Sequence, residues 1–156
     1  MPVGFDQIGS MSLEDLTRPP VLPEGEYVAQ VTDTPVRDRC NGKAQPEQYD
    51  TIEFTFCINE YVGGASTEAL QAYGEVAGAK VRRRFLFDRT DDQKAKNSGY
   101  YFGLFLKSLG VDSGRPLAQL LEDTVGRKCI ISVGHRPNPK EPDYPYTEVE
   151  KTVPLT

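Results

Sequence analysis

The sequence lacks most of the residue patterns that build catalytic centres and metal sites. It contains one histidine, His135, and three cysteines with no CxxC pair. A single histidine cannot build a common metal site or a Ser/His/Asp set, and three such cysteines indicate neither a disulfide framework nor a zinc knuckle. The stretch "VGGAS" at residues 62–66 lacks the lysine and the spacing of a phosphate-binding loop. We therefore expect no metal, no cofactor and no enzymatic activity.

Long apolar runs are also missing. No segment approaches the roughly 18 consecutive apolar residues that a membrane span needs. The start, "MPVGFDQIGSMSLEDL", has neither the basic n-region nor the apolar h-region of a secretory signal. A chain of 156 residues with 38% hydrophobic residues can bury a core as one domain. We expect a cytoplasmic protein without membrane contact.

Alternating hydrophobicity predicts five strands and little helix. The five strand-like segments are "EYVAQVTDT" (26–34), "YDTIEFTFCINEY" (49–61), "KVRRRFLFD" (80–88), "RKCIISVGH" (127–135) and "YTEVEKTV" (146–153). Residues 36–48 are predicted to be a polar loop. Between the third and fourth segments, an apolar stripe that includes Tyr101, Phe102 and Phe105 predicts a helix.

This order of elements is that of an OB-fold, a five-stranded, partly open barrel. We predict a mainly β protein with one five-stranded OB-fold barrel over residues 24–156, with its helix between strands 3 and 4. Residues 1–23 contain glycines and the pair Pro19-Pro20, and they are predicted to be a flexible N-terminal arm. OB-folds bind ligands on strands 2 and 3, between the 1–2 and 4–5 loops.

The net charge of -5 hides a segregation of charge along the chain. Segments 37–43, 80–89 and 127–136 hold eleven Lys and Arg against two acids, a net charge of +9 that leaves -14 for the rest. A local field depends on charges within about 10 Å, so these segments matter together only if they meet in space. In an OB-fold they would lie around strand 3, and we predict that they converge on one groove.

The stretch "KVRRRFLFD" at residues 80–88 is the centre of this prediction. Alternation puts Lys80, Arg82 and Arg84 on one outward face, about 6.6 Å apart, close to the phosphate repeat of a stretched single strand. Arg83 has the inward parity. Either its stem packs at the barrel rim while its head reaches water, or a β-bulge resets the register, so its role stays open. The alternative for the whole run is a solvated outer face.

Single-stranded nucleic acid also needs aromatic rings, because each stacked base is worth about 1–3 kcal/mol. Tyr49 borders the 1–2 loop, alternation puts Tyr61 on the outward face of strand 2, and Tyr144 and Tyr146 flank Pro145. For each, the alternative is a half-buried tyrosine with a satisfied hydroxyl. The predicted nucleic-acid-binding residues are Arg37, Arg39, Lys43, Tyr49, Tyr61, Lys80, Arg82, Arg84, Arg136, Lys140, Tyr144 and Tyr146.

Several motifs occur in a fixed order over residues 22–153. They are "LPEGEYVAQVTD", "NGK", "YDTIEFTFCINE", "KVRRRFLFD", "LKSLGVD" and "LEDTVGRKCIISVG". In pattern and order, this span resembles a family of small phage-encoded OB-fold single-stranded-DNA-binding proteins linked to replication and recombination. The resemblance implies single-stranded DNA binding without strong sequence preference. By position, Lys43, Lys80, Arg82 and Arg84 match the basic loop and strand of that family.

The sequence therefore predicts a non-catalytic single-stranded-DNA-binding protein that acts in phage DNA replication and recombination, in the host cytoplasm. Its partners would be single-stranded DNA and phage replication or recombination proteins. The alternative is an OB-like interaction module whose basic strand docks an acidic segment of such a protein. Duplex DNA and RNA are further candidate ligands, and the sequence does not determine the oligomeric state.

Overall fold

The fold is described from a computed structural model, which describes Gly9, residues 20–111 and residues 114–155. The strands are β1 (Gly25–Val31), β2 (Val36–Cys40), β3 (Tyr49–Gly63), β4 (Lys80–Asp88), β5 (Lys128–Arg136) and β6 (Tyr146–Pro154). The helices are α1 (Thr67–Tyr73), α2 (Asp92–Ser108) and α3 (Leu117–Leu120), and a 3₁₀ turn (Glu122–Thr124) follows α3. The described residues thus form a mostly β structure, and α2 lies between the third and fourth predicted strands, as expected.

The long strand β3 organises a six-stranded antiparallel sheet. One edge of β3 pairs with β4, from Tyr49 opposite Asp88 to Cys57 opposite Lys80. Its other edge pairs first with β2 and then with β1. The sheet continues from β1 to β5 and from β5 to β6, so its main order is β2-β3-β1-β5-β6, and β4 is attached to it through β3.

Strands β4 and β6 lie side by side but do not pair. Some of their Cα atoms come within 8 Å of each other, yet no hydrogen-bonded ladder joins them. The sheet is therefore not closed, and the predicted barrel is wrong on this point. The number of strands also differs, because β2 forms in the segment that was predicted to be a polar loop. Four of its five residues are exposed, so hydrophobic alternation could not reveal this strand.

A phenylalanine cluster fixes helix α2 on the inner face of the sheet. Phe54 of β3 contacts Phe85 of β4 and both Phe102 and Phe105 of α2, with ring centroids 4.7 to 6.0 Å apart. The Asp91 side chain caps the start of α2 by accepting a hydrogen bond from the backbone N–H of Lys94. Because α2 follows β4 closely in the chain, this cluster also determines which side of β4 faces solvent.

The predicted arm, residues 1–23, lies outside the described residues apart from Gly9 and residues 20–23. Within that last stretch Leu22 is buried in the core. The backbone carbonyl of Pro23 accepts a 2.7 Å hydrogen bond from the buried hydroxyl of Tyr27. Packing against the sheet therefore starts a few residues before β1.

We expect Phe54→Ala to lower the free energy of unfolding by about 3–5 kcal/mol, because it removes a fully buried ring from the centre of the cluster. Urea denaturation followed by circular dichroism would measure the change. Tyr100→Ala, at an exposed position of α2, is the matched control and should change stability by no more than about 0.5 kcal/mol. Equal denaturation midpoints for the two variants would contradict this account of the core.

Candidate nucleic-acid interface

Strand β4 presents a row of cations on the outer face of the sheet, the face turned away from α2. Lys80, Arg82 and Arg84 are exposed, while Val81 and Phe85 between and beyond them are buried. The ladder between β3 and β4 runs without a register shift, so the alternation is unbroken along the strand. We call these three residues the cation row.

The neighbours of the cation row leave most of its charge unbalanced. Glu53 of β3 stands directly opposite Arg84, and its carboxylate lies 3.8 Å from Arg82 Nε. Within the described part of the chain, Lys80 and Arg84 have no carboxylate within 4.0 Å. The row is therefore available to an external anion.

Arg83 points to the other side of β4, toward β6. Its guanidinium carbon lies 4.4 Å from the centroid of the Phe85 ring, and the residue is half-buried. Burial lowers the pKa of Arg83, and the nearby charge of Glu148 on β6 acts in the opposite direction. Since the β3–β4 register is regular, no bulge is involved. The structure supports the first explanation, a side chain packed where the sheet stays open.

Arg37 and Arg39 do not join the cation row. In the β2–β3 ladder Arg37 stands opposite Ile52 and Arg39 opposite Asp50, so both arginines share the sheet face of Phe85. Arg39 is also neutralised, because its Nε donates a 3.0 Å hydrogen bond to Asp50 Oδ1. Arg37 and Arg39 lie on that face because β2 is a strand, and alternate residues of a strand point to opposite faces.

The hairpin loop between β2 and β3 is anchored at one end of the cation row. Gln48 Nε2 donates a 3.2 Å hydrogen bond to Asp88, and the backbone N–H and hydroxyl of Thr90 donate to Asp88 at 2.9 and 2.6 Å. The Thr90 and Gln48 hydrogen bonds hold the pKa of Asp88 below its usual value. Lys43 is exposed in this loop, and the half-buried Tyr49 begins β3 on the outer face.

Tyr61 lies on the inner face, not on the predicted outer face. A shift in the β1–β3 register leaves Asn59 without a partner and reverses the alternation beyond it. The Tyr61 ring consequently packs edge-on against Tyr27, with centroids 5.7 Å apart. Its hydroxyl accepts a 2.9 Å hydrogen bond from the backbone N–H of Ala65. Tyr61 therefore packs against the core and does not offer a surface for stacking.

The β5–β6 hairpin has Arg136 and Tyr146 at its base, and its strand β6 lies beside β4. Arg136 and Tyr146 stand opposite each other there, and both are exposed. Arg136 Nε lies 3.7 Å from a carboxylate oxygen of Glu148, the same residue whose charge acts on Arg83. This hairpin thus lies beside β4, but part of the Arg136 charge is balanced.

The tip of the same hairpin holds the last two predicted residues. Lys140 is exposed, and its backbone N–H donates to the side chain of Asn138. Tyr144 is half-buried, and its carbonyl accepts a 3.1 Å hydrogen bond from Asn138 Nδ2. Asn138 therefore shapes the loop, and of these two residues Lys140 is the exposed one.

Two exposed aromatic rings lie where the sequence pattern does not predict them. Tyr100 and Tyr101 of α2 are 65% and 63% exposed, and their ring centroids are 5.5 Å apart. The apolar stripe had placed Tyr101 in the core. The signal was present in the sequence, because three consecutive aromatic residues in a helix point about 100° apart and cannot all face the sheet.

The described residues offer few other candidates for a functional site. Among the residues that the structure describes, no group of three or more His, Cys, Asp or Glu side chains could hold a metal ion. Burial raises the pKa of the Cys129 thiol to about 12, which makes it a poor nucleophile. No helix within the described ranges is long and apolar enough to cross a bilayer.

Comparison with known protein families gave no match, and a search of curated proteins found no similar sequence.

We expect Asp88→Asn to destabilise the protein in a pH-dependent way. Because the pKa of Asp88 is lower in the folded protein than its usual 3.8, its carboxylate contributes stability that is present above about pH 4 and lost as the pH falls through the lowered value. The difference in free energy of unfolding between wild type and variant should be constant from about pH 7 to 5 and shrink in stronger acid. Urea titrations at several pH values would measure it. Asp143→Asn, at an exposed position, is the control, and a difference that grows in acid would contradict the prediction.

Proposed function

We propose that the protein binds single-stranded DNA across the outer face of β3 and β4, with low sequence specificity and without catalysing a reaction. One observation carries this proposal. Lys80, Arg82 and Arg84 are exposed at alternate positions of one strand, about 6.6 Å apart, and Glu53 is the one acid within 4.0 Å of any of them among the described residues. That spacing suits successive phosphates of an extended strand, whose neutralisation releases counterions.

The connectivity of the sheet supports the same proposal. An OB-fold pairs its first strand with the second and the fourth, places its fifth strand beside the third, and carries a helix between the third and fourth. Strands β1, β3, β4, β5 and β6 follow this arrangement, with the gap between β4 and β6. We therefore interpret the fold as an open variant of the OB-fold, with β2 as an addition to its 1–2 loop. Oligonucleotides bind OB-folds on the second and third strands, here β3 and β4.

The setting we propose is phage DNA replication and recombination in the cytoplasm of a host cell, with other phage proteins of these processes as partners. The resemblance to phage-encoded single-stranded-DNA-binding proteins supports it. The excess of acids outside the basic segments would confine the nucleic acid to the region of the cation row and keep it off the rest of the surface.

The direct test is fluorescence anisotropy with a labelled oligo-dT at several salt concentrations. We expect the logarithm of the binding constant to fall linearly with the logarithm of salt concentration, by about 0.7 per phosphate contact. Unlabelled RNA and duplex DNA serve as competitors and determine which nucleic acid the protein prefers. The absence of binding by micromolar protein at about 50 mM salt, where phosphate contacts are strong, would exclude the proposal.

Arg84→Gln should weaken oligo-dT binding about fivefold, equivalent to about 1 kcal/mol, because it removes one exposed cation from the row. The salt slope should fall by about 0.7 at the same time. Lys96→Gln makes the same charge change at an exposed position of α2, and Arg39→Gln removes a cation that already pairs with Asp50 on the other face. Both controls should bind nearly as well as wild type. An equal loss in all three variants would indicate a response to net charge alone.

A second candidate is an interaction module that docks an acidic protein segment on the same face. One observation favours it: apolar Leu86 and Val36 are exposed on the outer face, whereas Tyr49 is the one aromatic residue that β2, β3 and β4 place there. An acidic peptide with interspersed leucines would then bind, and oligo-dT would not. A partner that co-purifies after nuclease treatment, together with no oligonucleotide binding, would favour this candidate over the first.

A further inference from the structure

A pocket lies at the open edge between β4 and β6, and the proposed function assigns no role to it. Its volume is about 180 Å³. Its walls include Arg83 and Phe85 of β4, Tyr101 and Leu104 of α2, and Glu150 and Lys151 of β6. Pockets for whole drug-sized ligands usually measure about 300–1,000 Å³, so this one suits a single flat group.

The walls combine planar groups with hydrogen-bonding groups. The Arg83 guanidinium lies over the Phe85 ring at 4.4 Å, and the Tyr101 side chain is largely exposed at the edge of the pocket. Nucleobases stack on tyrosine rings and on guanidinium planes, and this stacking tolerates any base. Glu150 and Lys151 form the part of the wall that belongs to β6.

The pocket lies on the opposite side of β4 from the cation row. Arg83 lies between Arg82 and Arg84 in the chain, and its side chain leaves the strand on the opposite side. Because β4 pairs with β3 alone, its other edge is open, and only the width of this strand separates the pocket from the row. A nucleic-acid strand whose phosphates lie on the row can therefore turn a base over the edge of β4.

We infer that this pocket holds one unstacked nucleobase of a single strand whose phosphates lie on the cation row. Arg83 and Tyr101 would then be base-contacting residues, which gives Arg83 the role that its parity left open. The inference rests on the proposed function. The planar walls support a nucleobase over an aliphatic side chain as the occupant, since the Arg83 guanidinium and the Tyr101 ring both line the pocket.

The test compares Tyr101→Ala with Tyr100→Ala, two adjacent and equally exposed tyrosines of which only Tyr101 lines the pocket. Each variant is titrated with oligo-dT and with an oligonucleotide of the same length that has abasic sites in place of bases. Tyr101→Ala should weaken oligo-dT binding about fivefold or more, with an unchanged salt slope because no phosphate contact is lost. Binding of the abasic oligonucleotide should not change, and Tyr100→Ala should behave as wild type with both.

A second measurement uses 2-aminopurine within the oligonucleotide, whose fluorescence falls when the base stacks. The chain contains no tryptophan, so the protein adds little fluorescence of its own. Wild type should quench 2-aminopurine. Quenching should be lost in Tyr101→Ala and reduced in Arg83→Lys, which keeps the charge but removes the planar guanidinium.

The outcomes separate this inference from the proposed function. If wild type binds oligo-dT but Tyr101→Ala binds as well as Tyr100→Ala, the pocket inference fails and the proposed function stands. An equal loss on abasic and normal oligonucleotides would also overturn the inference, because Tyr101 would then act through the structure rather than on a base. If wild type binds no oligonucleotide, both fail. Thermal melting followed by circular dichroism checks that each variant is folded.

Discussion

The contact between helix α2 and the inner face of β3 and β4 determines which side chains of β4 lie on the outer face of the sheet. Phe54 meets Phe85 from the neighbouring strand and Phe102 and Phe105 from the helix, and burial of these rings is the main favourable term that holds β4 in one orientation. Because Phe85 points inward, the alternation of side chains along β4 directs Arg82 and Arg84 to the outer face. The charge of that face is therefore a consequence of packing on the other side.

Electrostatic balance separates the basic segments that the sequence groups together. In the cation row three cations face a single glutamate, whereas Arg39 and Arg136 each lie beside a carboxylate of their own hairpin. An arginine that already pairs with a carboxylate must lose that partner before it can bind a phosphate, so its contribution to binding a polyanion is smaller. The net charge of the whole protein does not reveal this difference, because it adds charges that are paired with an opposite charge to charges that are not.

The gap between β4 and β6 is the feature that distinguishes this sheet from a closed barrel. It leaves Arg83 half-buried against Phe85 and places Tyr101 at the surface beside it. A closed ladder at this edge would have joined the two strands where the pocket lies. The same gap therefore accounts for an arginine on the inward side of a strand.

Local periodicity was enough to predict the outward direction of Lys80, Arg82 and Arg84, five of the six strands and the helix after β4, because each of these depends on residues close together in the chain. The pairing of strands that are distant in the chain determined the remaining strand and the directions of the other predicted side chains. Strand β2 exists because β3 binds it, which turned Arg37 and Arg39 to the opposite face, and one unpaired residue at Asn59 turned Tyr61 inward. Register, bulges and the open edge arise between distant segments, so tertiary structure alone could place these side chains.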